Sequence, residues 1–309
     1  MAIVALDSRL AGLVDLNAEV EKIATGFVFT EGPVWHARER HLTFSDVFGG
    51  VMYRWTESGG AAVFRKPSDG ANGNTYDRQG RLVTCQHDHR VTRTNPDGSA
   101  EELATHYQGK HLNAPNDIVC TASGDLIFTD PFFALPGPDS SVPTRELDFQ
   151  GVYRVSARDS SLTLLNRELE APNGVVIDER RSRLYVDDTR QSNVHAWDIA
   201  ADGSLTNHRI FCEVKHGDAR GSPDGMKLDS QGNLYVAANS PEGVWVFASD
   251  GALLGFIGVG EEKHPFRDGL GGPANLAWGG DDWRTLYVTA VSSVYRLRMK
   301  VAGQPVYVP

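Results

Sequence analysis

The sequence contains few cysteines, no long apolar segment and no hydrophobic pattern of helical period. Its three cysteines, Cys85, Cys120 and Cys212, are odd in number and lack C-x-x-C spacing, which argues against a disulfide framework and favours a reducing compartment. The first residues lack a basic region followed by an apolar stretch, and no run approaches the ~20 apolar residues that span a bilayer. We therefore expect a soluble cytoplasmic protein whose thiols lie in its core.

Basic residues are also scarce relative to acidic ones. Thirty Lys and Arg against forty Asp and Glu give a formal charge of −10, which repels nucleic acid phosphates and anionic lipids. We expect neither nucleic acid nor a membrane as partner. With 309 residues, of which 40% are apolar, the chain can bury a substantial core. Length alone would allow two domains, but an internal repeat favours a single domain over residues 1–309.

The repeat begins with a turn that contains an acidic or amide residue and continues into an apolar strand, a second turn and a second strand. Its copies are spaced by 41, 44, 57, 51 and 51 residues, and their leading residues are Glu31, Asn72, Asn116, Asn173, Asp224 and Asn275. A leucine of the second strand follows each leading residue after ten or eleven positions: Leu42, Leu82, Leu126, Leu184, Leu234 and Leu286. This constant spacing indicates six copies of one structural unit.

Each copy continues into a third apolar strand. These strands are predicted at Val51–Trp55, Val91–Thr94, Gly151–Val155, Asn193–Trp197, Gly243–Phe247 and Ser293–Leu297. Short strands punctuated by 32 Gly and 15 Pro predict an all-β fold, a six-bladed β-propeller with four-stranded antiparallel blades around a central channel. Residues Asn17–Thr25 alternate apolar with polar and are expected to close the ring by joining the last blade. The insertion Phe132–Phe149 is expected to be either a loop over the channel mouth or a disordered surface loop.

The leading residues predict a metal site. Innermost strands of a propeller line the channel, so equivalent positions at their starts converge on the axis. Every leading side chain carries an oxygen ligand, although Asn and Asp also cap turns, often before Gly. Two anions near one axis, Glu31 and Asp224, would repel each other and be desolvated unless a dication matched their charge. Without His or Cys at these positions, calcium fits best, with magnesium, manganese, iron and zinc as alternatives.

Several ordered motifs resemble the gluconolactonase and regucalcin (senescence marker protein) family, particularly its bacterial gluconolactonase branch. They extend from about Thr25 to about Leu297 and comprise FTEGPVW at Phe29–Trp35, FSDV at Phe44–Val47, GKHLNAPND at Gly109–Asp117, FTDP at Phe128–Pro131, GVYRV at Gly151–Val155, APNGVVID at Ala171–Asp178 and SPDGMKLD at Ser222–Asp229. The resemblance implies a six-bladed propeller whose axial divalent cation is held by Glu31, Asn116, Asn173 and Asp224. It also implies hydrolysis of aldonolactones, with Asp224 as the catalytic base.

The expected chemistry is opening of a sugar lactone, a small-molecule substrate, by a monomer or small homo-oligomer. The cation would polarise the lactone carbonyl and stabilise the oxyanion, while Asp224 accepts a proton from the attacking water. Asn72, Asn116 and His111 are predicted to bind substrate. His111 stands where the family usually has Arg in G-K-R-L-N, which puts the identity of the substrate in doubt more than the reaction type.

Three other interpretations stay open. An organophosphate or phosphotriester hydrolase could use the same propeller and metal, and a calcium-binding propeller would need no catalysis at all. His87 and His89 are metal ligands by type, although the end of a second strand favours a substrate-pocket or surface role. A serine hydrolase is disfavoured because G-x-S-x-G is absent, and Gly221–Gly225 is better explained as the turn that presents Asp224.

Overall fold

The fold is all-β and is built from six antiparallel sheets, which confirms the predicted six-bladed propeller. The computed structural model describes residues 2–133, 145–239, 243–260 and 271–306. Two strands and one helical turn precede the first blade: β1 (Ile3–Ala5), α1 (Leu10–Leu13) and β2 (Glu21–Thr25). No helix in these ranges is long and apolar enough to cross a membrane.

The first three blades follow one another along the chain, with a short hairpin between the second and third. Blade one contains β3 (Thr30–His36), β4 (His41–Asp46), β5 (Val51–Thr56) and β6 (Gly60–Arg65). Blade two contains β7 (Ala71–Tyr76), β8 (Leu82–Gln86), β9 (Arg90–Thr94) and β10 (Ala100–Ala104). The hairpin is β11 (His106–Tyr107) with β12 (Lys110–His111). Blade three contains β13 (Ile118–Cys120), β14 (Leu126–Asp130), β15 (Gly151–Val155) and β16 (Leu162–Asn166).

The remaining blades repeat this arrangement. Blade four contains β17 (Pro172–Asp178), β18 (Arg183–Asp188), β19 (Asn193–Ile199) and β20 (Leu205–Glu213). A second hairpin, β21 (Lys215–His216) with β22 (Ala219–Arg220), precedes blade five. Blade five contains β23 (Pro223–Leu228), β24 (Leu234–Ala238), β25 (Val244–Phe247) and β26 (Leu253–Ile257). Blade six contains β27 (Pro273–Gly279), β28 (Thr285–Ala290) and β29 (Ser293–Arg298).

Strands from the start of the chain complete the last two blades. Strand β2 pairs antiparallel with β29 and becomes the outer strand of blade six. Strand β1 pairs with β26 as a fifth strand of blade five, an addition that the repeat pattern did not predict. Between them, Leu10 and Leu13 of α1 pack into the core shared by blades five and six. The N-terminal segment therefore ties two blades together.

The core lies between neighbouring blades. The six leucines that marked the repeat all lie on second strands, and none is more than 4% exposed. Each fully buried leucine contributes about 1.5–3 kcal/mol relative to an exposed one. The constant position of leucine in the sequence thus reflects one repeated packing site.

The blades surround an axis, because each first strand contacts the first strands of both neighbouring blades. We call the end of the axis at which the first strands begin the mouth face, and the other end the far face. Since strands alternate in direction, turns between second and third strands lie on the mouth face. The insertion Phe132–Phe149 connects β14 to β15 and so departs from the mouth face, but residues 134–144 lie outside the described residues.

Candidate active site and metal centre

Bulges in the first strands set the direction of the leading side chains. The pairing of first and second strands shifts register directly beside the leading residue in blades one, two, four, five and six. In blade one, for example, the shift falls between Glu31 and Val34. A bulge adds a residue to one strand and redirects its side chains away from the regular pleat. The same local irregularity therefore recurs beside five of the six oxygen-bearing leading side chains.

Glycines after the leading residues allow neighbouring blades to approach closely. A Cβ atom on Gly73 would lie 2.3 Å from the carbonyl oxygen of Asn116, and one on Gly174 would lie 2.1 Å from that of Asp224. Gly32 is restricted in the same way, with its Cβ position 2.0 Å from the carbonyl oxygen of Asn72. Of these three, only Gly32 has a positive φ, of 50°. Inter-blade contact, more than turn geometry, requires glycine here.

These contacts join the leading residues into what we call the axial ring: Glu31, Asn72, Asn116, Asn173, Asp224 and Asn275. A Cβ on Gly225 would lie 2.0 Å from the Asn275 side chain, and Asn275 Nδ2 donates to Glu31 Oε2 at 3.1 Å, which links blade six to blade one. All six side chains are buried, with exposures of 2–8%. The structure therefore brings together residues separated by up to 244 positions.

The ionised forms of the two carboxylates in the axial ring are destabilised by their surroundings. Burial, reinforced by the charge of Asp224, raises the pKa of Glu31 well above its ordinary value. Burial likewise raises the pKa of Asp224, to about 7, with a smaller contribution from Asp117. Hydrogen bonds from Asn239 and Asn173 to Asp224 offset only part of this effect. A cation between the carboxylates would remove the penalty for ionising them.

Two amide oxygens of the axial ring have no hydrogen-bond partner among the described residues. They are the Oδ1 atoms of Asn72 and Asn173, which are buried, although buried amide oxygens normally accept a hydrogen bond. Both Nδ2 atoms are engaged, that of Asn173 with Thr189 Oγ1 at 3.0 Å and that of Asn72 with His87 Nε2 at 2.9 Å. Two carboxylates beside unpartnered amide oxygens form a donor set that suits a hard divalent cation.

Asn275 differs from the other amides of the axial ring. Its Oδ1 accepts from the Leu276 backbone at 2.8 Å and from Lys227 Nζ at 3.4 Å, so this oxygen is already occupied. Asn275 is therefore a support for Glu31. In the described residues no three His, Cys, Asp or Glu side chains converge as metal ligands, so a cation in the ring would depend on amide oxygens.

The site also contains residues that the sequence did not predict. Lys227 Nζ lies 3.9 Å from Asp117 Oδ2 and places one positive charge beside the buried acids. Asp187 Oδ2 accepts from the Gly174 backbone at 3.0 Å and thereby holds the turn after Asn173. Asn239 Nδ2 donates to Asp224 Oδ2 at 3.0 Å. The ND pair at 116–117 was visible in the sequence, but nothing there indicated that Lys227 or Asn239 contacts the ring.

The predicted histidines lie on the mouth face. His111 is exposed on β12, where its backbone N–H donates to Glu146 Oε2 at 2.7 Å and its ring centroid lies 4.0 Å from that of His106. His89 lies nearby, with ring centroids 5.6 Å apart from His111. His87 instead contacts Asn72, and burial lowers the pKa of His87 to about 4, which keeps its imidazole neutral. His87 is thus a partner of the axial ring through Asn72.

The C-terminal segment covers the far end of the axis. The Gln304 backbone donates to the Leu228 carbonyl at 3.1 Å, and Val306 packs beside Val34. Beneath the axial ring these residues and the first strands line a cavity of only about 80 Å³. A sugar-sized molecule would therefore reach the ring from the mouth face.

Known proteins share both the sequence and this architecture. Residues 29–292 match the family described as SMP-30/Gluconolactonase/LRE-like region. The chain belongs to this family. A gluconolactonase of Zymomonas mobilis is 31% identical, over 96% of this chain and 85% of its own length. A pentonolactonase, XacC, of Haloferax volcanii is 26% identical, over 89% and 92% of the two chains. These matches confirm the resemblance that the motifs indicated.

A solved structure of a family member closely resembles the fold. A gluconolactonase from Xanthomonas campestris has a TM-score of 0.83 and 31% identity, and the match covers 97% of this chain and 95% of that one. Coverage of this extent means that all six blades, and hence the axial ring, fall within the shared fold.

Metal removal should destabilise the protein more at alkaline than at acidic pH. Glu31 and Asp224 have raised pKa values in the fold, so the metal-free folded state binds protons more tightly than the unfolded chain. Its stability is therefore complete below about pH 4 and declines as the pH rises through about 7. Melting temperatures with chelator and with calcium should differ little at pH 5 and clearly at pH 8. A difference in melting temperature that does not change with pH would show that these carboxylates are not its cause.

Proposed function

We propose that the protein hydrolyses sugar lactones with a divalent cation held by Glu31, Asn116, Asn173 and Asp224. The observation that carries this proposal is the axial ring, in which two buried carboxylates adjoin amide oxygens without partners. The enzyme class follows from the family relatives named gluconolactonase and pentonolactonase, which cover most of this chain. Among the candidate cations, calcium suits this oxygen donor set best.

The roles of the residues follow from their contacts. When bound, the cation would supply Lewis-acid polarisation of the lactone carbonyl. Asp224 is the candidate base, because Asn239 orients its carboxylate through Oδ2. Glu31 is fixed by the Gly32 N–H at 2.7 Å and by Asn275, which favours a ligand role. Asn72 and Asn116 are candidates for contacting substrate oxygens beside the cation.

The position of the axial ring favours hydrolysis at this site over passive ion binding. The ring lies where the first strands begin, at the mouth end of the axis, and the C-terminal segment covers the far end. Phosphotriester hydrolysis uses the same donor set, but two relatives that cover 96% and 89% of this chain are named for lactones. We therefore retain lactone hydrolysis as the single proposed reaction.

A pH-stat assay with a panel of aldonolactones and one phosphotriester tests the proposal. Turnover should be fastest with a lactone, disappear after chelation and return when calcium, magnesium or manganese is added. Turnover of the phosphotriester alone would identify the organophosphate alternative. Metal binding without turnover of any lactone or ester would identify a calcium-binding module.

Replacing His111 with Arg should change the preference among lactones without abolishing activity. The side chain is exposed on the mouth-face hairpin, so a longer cation can be accommodated there. We expect relative kcat/KM values across the panel to shift by roughly tenfold, the effect of one altered polar contact. His106→Arg, on the same hairpin, is the matched control. An unchanged profile in His111→Arg would leave His111 as a loop residue only.

A further inference from the structure

The far face carries a second cleft, between blades one and two. Its volume is about 550 Å³, within the ~300–1,000 Å³ range of small-molecule sites. The turns that join first to second strands lie on the far face, and two of them line this cleft through His36, Glu39 and Gln79–Arg81. None of the axial ring residues contributes to it. It is therefore separate from the proposed active site.

The cleft is cationic although the protein is strongly acidic. Three arginines, Arg54, Arg65 and Arg81, line it beside one carboxylate, Glu39. Arg81 is paired through Nε with Asp77 at 2.7 Å. We call this feature the cationic cleft. Because the chain has a formal charge of −10, its surface is expected to be negative on average, and this positive surface departs from that average.

Arg54 is less neutralised than two of its equivalents in the repeat. Third strands of four blades carry an arginine at the same position: Arg54, Arg93, Arg154 and Arg296. Arg93 lies 2.7 Å from Glu101, and Arg296 lies 2.6 Å from Glu21. Within the described part of the chain, Arg54 lies 3.7 Å from the Glu39 carboxylate, and its Nε is buried without a hydrogen bond. Its charge is thus held near the cleft with little compensation.

Packing fixes the guanidinium groups in place. Arg54 stacks on Phe64 with its Cζ 3.9 Å from the ring centroid, and Arg65 lies over the same ring at 5.6 Å. Arg65 also donates to Thr94 Oγ1. Burial, and then the charge of Arg54, lowers the pKa of His41 to about 3, so this imidazole adds no positive charge. The arginines are therefore preorganised donors for an anion.

From these observations we propose that the cationic cleft binds a small dianionic metabolite of the phosphate-ester class. Two guanidinium groups lie near one aromatic ring, and each is a planar group with several N–H donors, which suits the oxygens of a phosphate. The volume leaves room for an organic group of sugar size beyond the phosphate. A bound anion would place a negative charge near the Nε atom of Arg54 and neutralise the positive charge of its guanidinium group.

The test is isothermal titration of the metal-loaded protein with phenyl phosphate, compared with phenol. Phenyl phosphate should bind saturably and phenol should not. Arg54→Gln and, separately, Arg65→Gln should weaken binding roughly tenfold or more, since each removes charge-assisted hydrogen bonds. Arg154→Gln is the matched control, because Arg154 holds the same repeat position and its Nε also lacks a hydrogen bond. It should bind as the unmodified protein does.

Asp224→Asn provides a second control, because it alters the axial ring and leaves the cationic cleft intact. Phenyl phosphate binding that persists in Asp224→Asn but weakens in both cleft variants supports the proposal. The proposal is overturned by absence of saturable binding, by an equal loss in Arg154→Gln, or by loss in Asp224→Asn. The last result would place the phosphate at the axial ring. None of these outcomes depends on whether the protein hydrolyses lactones.

Discussion

Replacing Asp224 with Asn is expected to lower kcat on the order of a hundredfold or more, because general-base catalysis is typically worth 10²–10⁴-fold. Size and one oxygen ligand are retained, so metal affinity should fall only in part, through loss of one charge. The metal-free variant should also melt higher than the unmodified metal-free protein. The reason is that an amide replaces a carboxylate whose pKa burial raises to about 7.

Asn173→Asp is the matched comparison within the axial ring. It adds charge next to Asp224 and leaves the base in place, so metal binding should tighten and activity should persist. Because Asn173 Nδ2 donates to Thr189 Oγ1, loss of that donor should lower the stability of the metal-free form. Metal occupancy and kcat are measured for both variants over a range of cation concentrations. Should Asp224→Asn reach the unmodified kcat at saturating metal, Asp224 is a ligand and another group takes the proton.

Gly174→Ala should destabilise the protein by about 3 kcal/mol or more and abolish metal binding. The new methyl group would lie 2.1 Å from the carbonyl oxygen of Asp224 and 2.6 Å from Asp187 Oδ2. Since Gly174 has no positive φ, the clash arises from the neighbouring blade and not from backbone strain. Blades four and five would have to separate, and the axial ring would open with them. Urea unfolding and calcium titration measure the two effects.

Gly12→Ala is the control for this substitution. Gly12 lies in α1, and apart from its chain neighbours and the helix backbone no atom of the described residues lies within 4 Å of the position that its Cβ would take. An added methyl group there should leave stability unchanged or raise it by about 0.4–1 kcal/mol, through reduced freedom of the unfolded chain. If Gly174→Ala is as harmless as Gly12→Ala, close contact between blades does not explain the glycines of the repeat.

The fold was largely predictable because it depends on local sequence patterns. The leucines at constant spacing all lie buried on second strands, and the third strand predicted at Gly151–Val155 has those bounds in the structure. This regularity arises because each blade packs in the same way, so the same residue types recur at equivalent positions of the sequence. The repeat did not predict the added strand β1, since a single strand outside the repeat has no copy with which it can be compared.

The glycines show where a local interpretation was incomplete. Gly73 and Gly174 follow side chains that also cap turns, and a turn was the alternative that the sequence offered for these positions. The structure instead shows each of them against a backbone carbonyl of the next blade. A contact between positions about 50 residues apart leaves no local pattern, which is why only the assembled ring reveals it.

By itself, the sequence determined the six units, their strand order and the oxygen-bearing residue that begins each one, since these depend on short-range periodicity. It also indicated the family, through ordered motifs along nearly the whole chain. The tertiary structure decided which leading residues keep unpartnered oxygens, that Asn275 supports Glu31, and that Lys227 and Asn239 contact the ring. It also decided that Arg54 and its neighbours form a cleft. The physical reason is that hydrogen-bond partners and local charge depend on residues brought together from different blades, and their positions are set only when the ring closes.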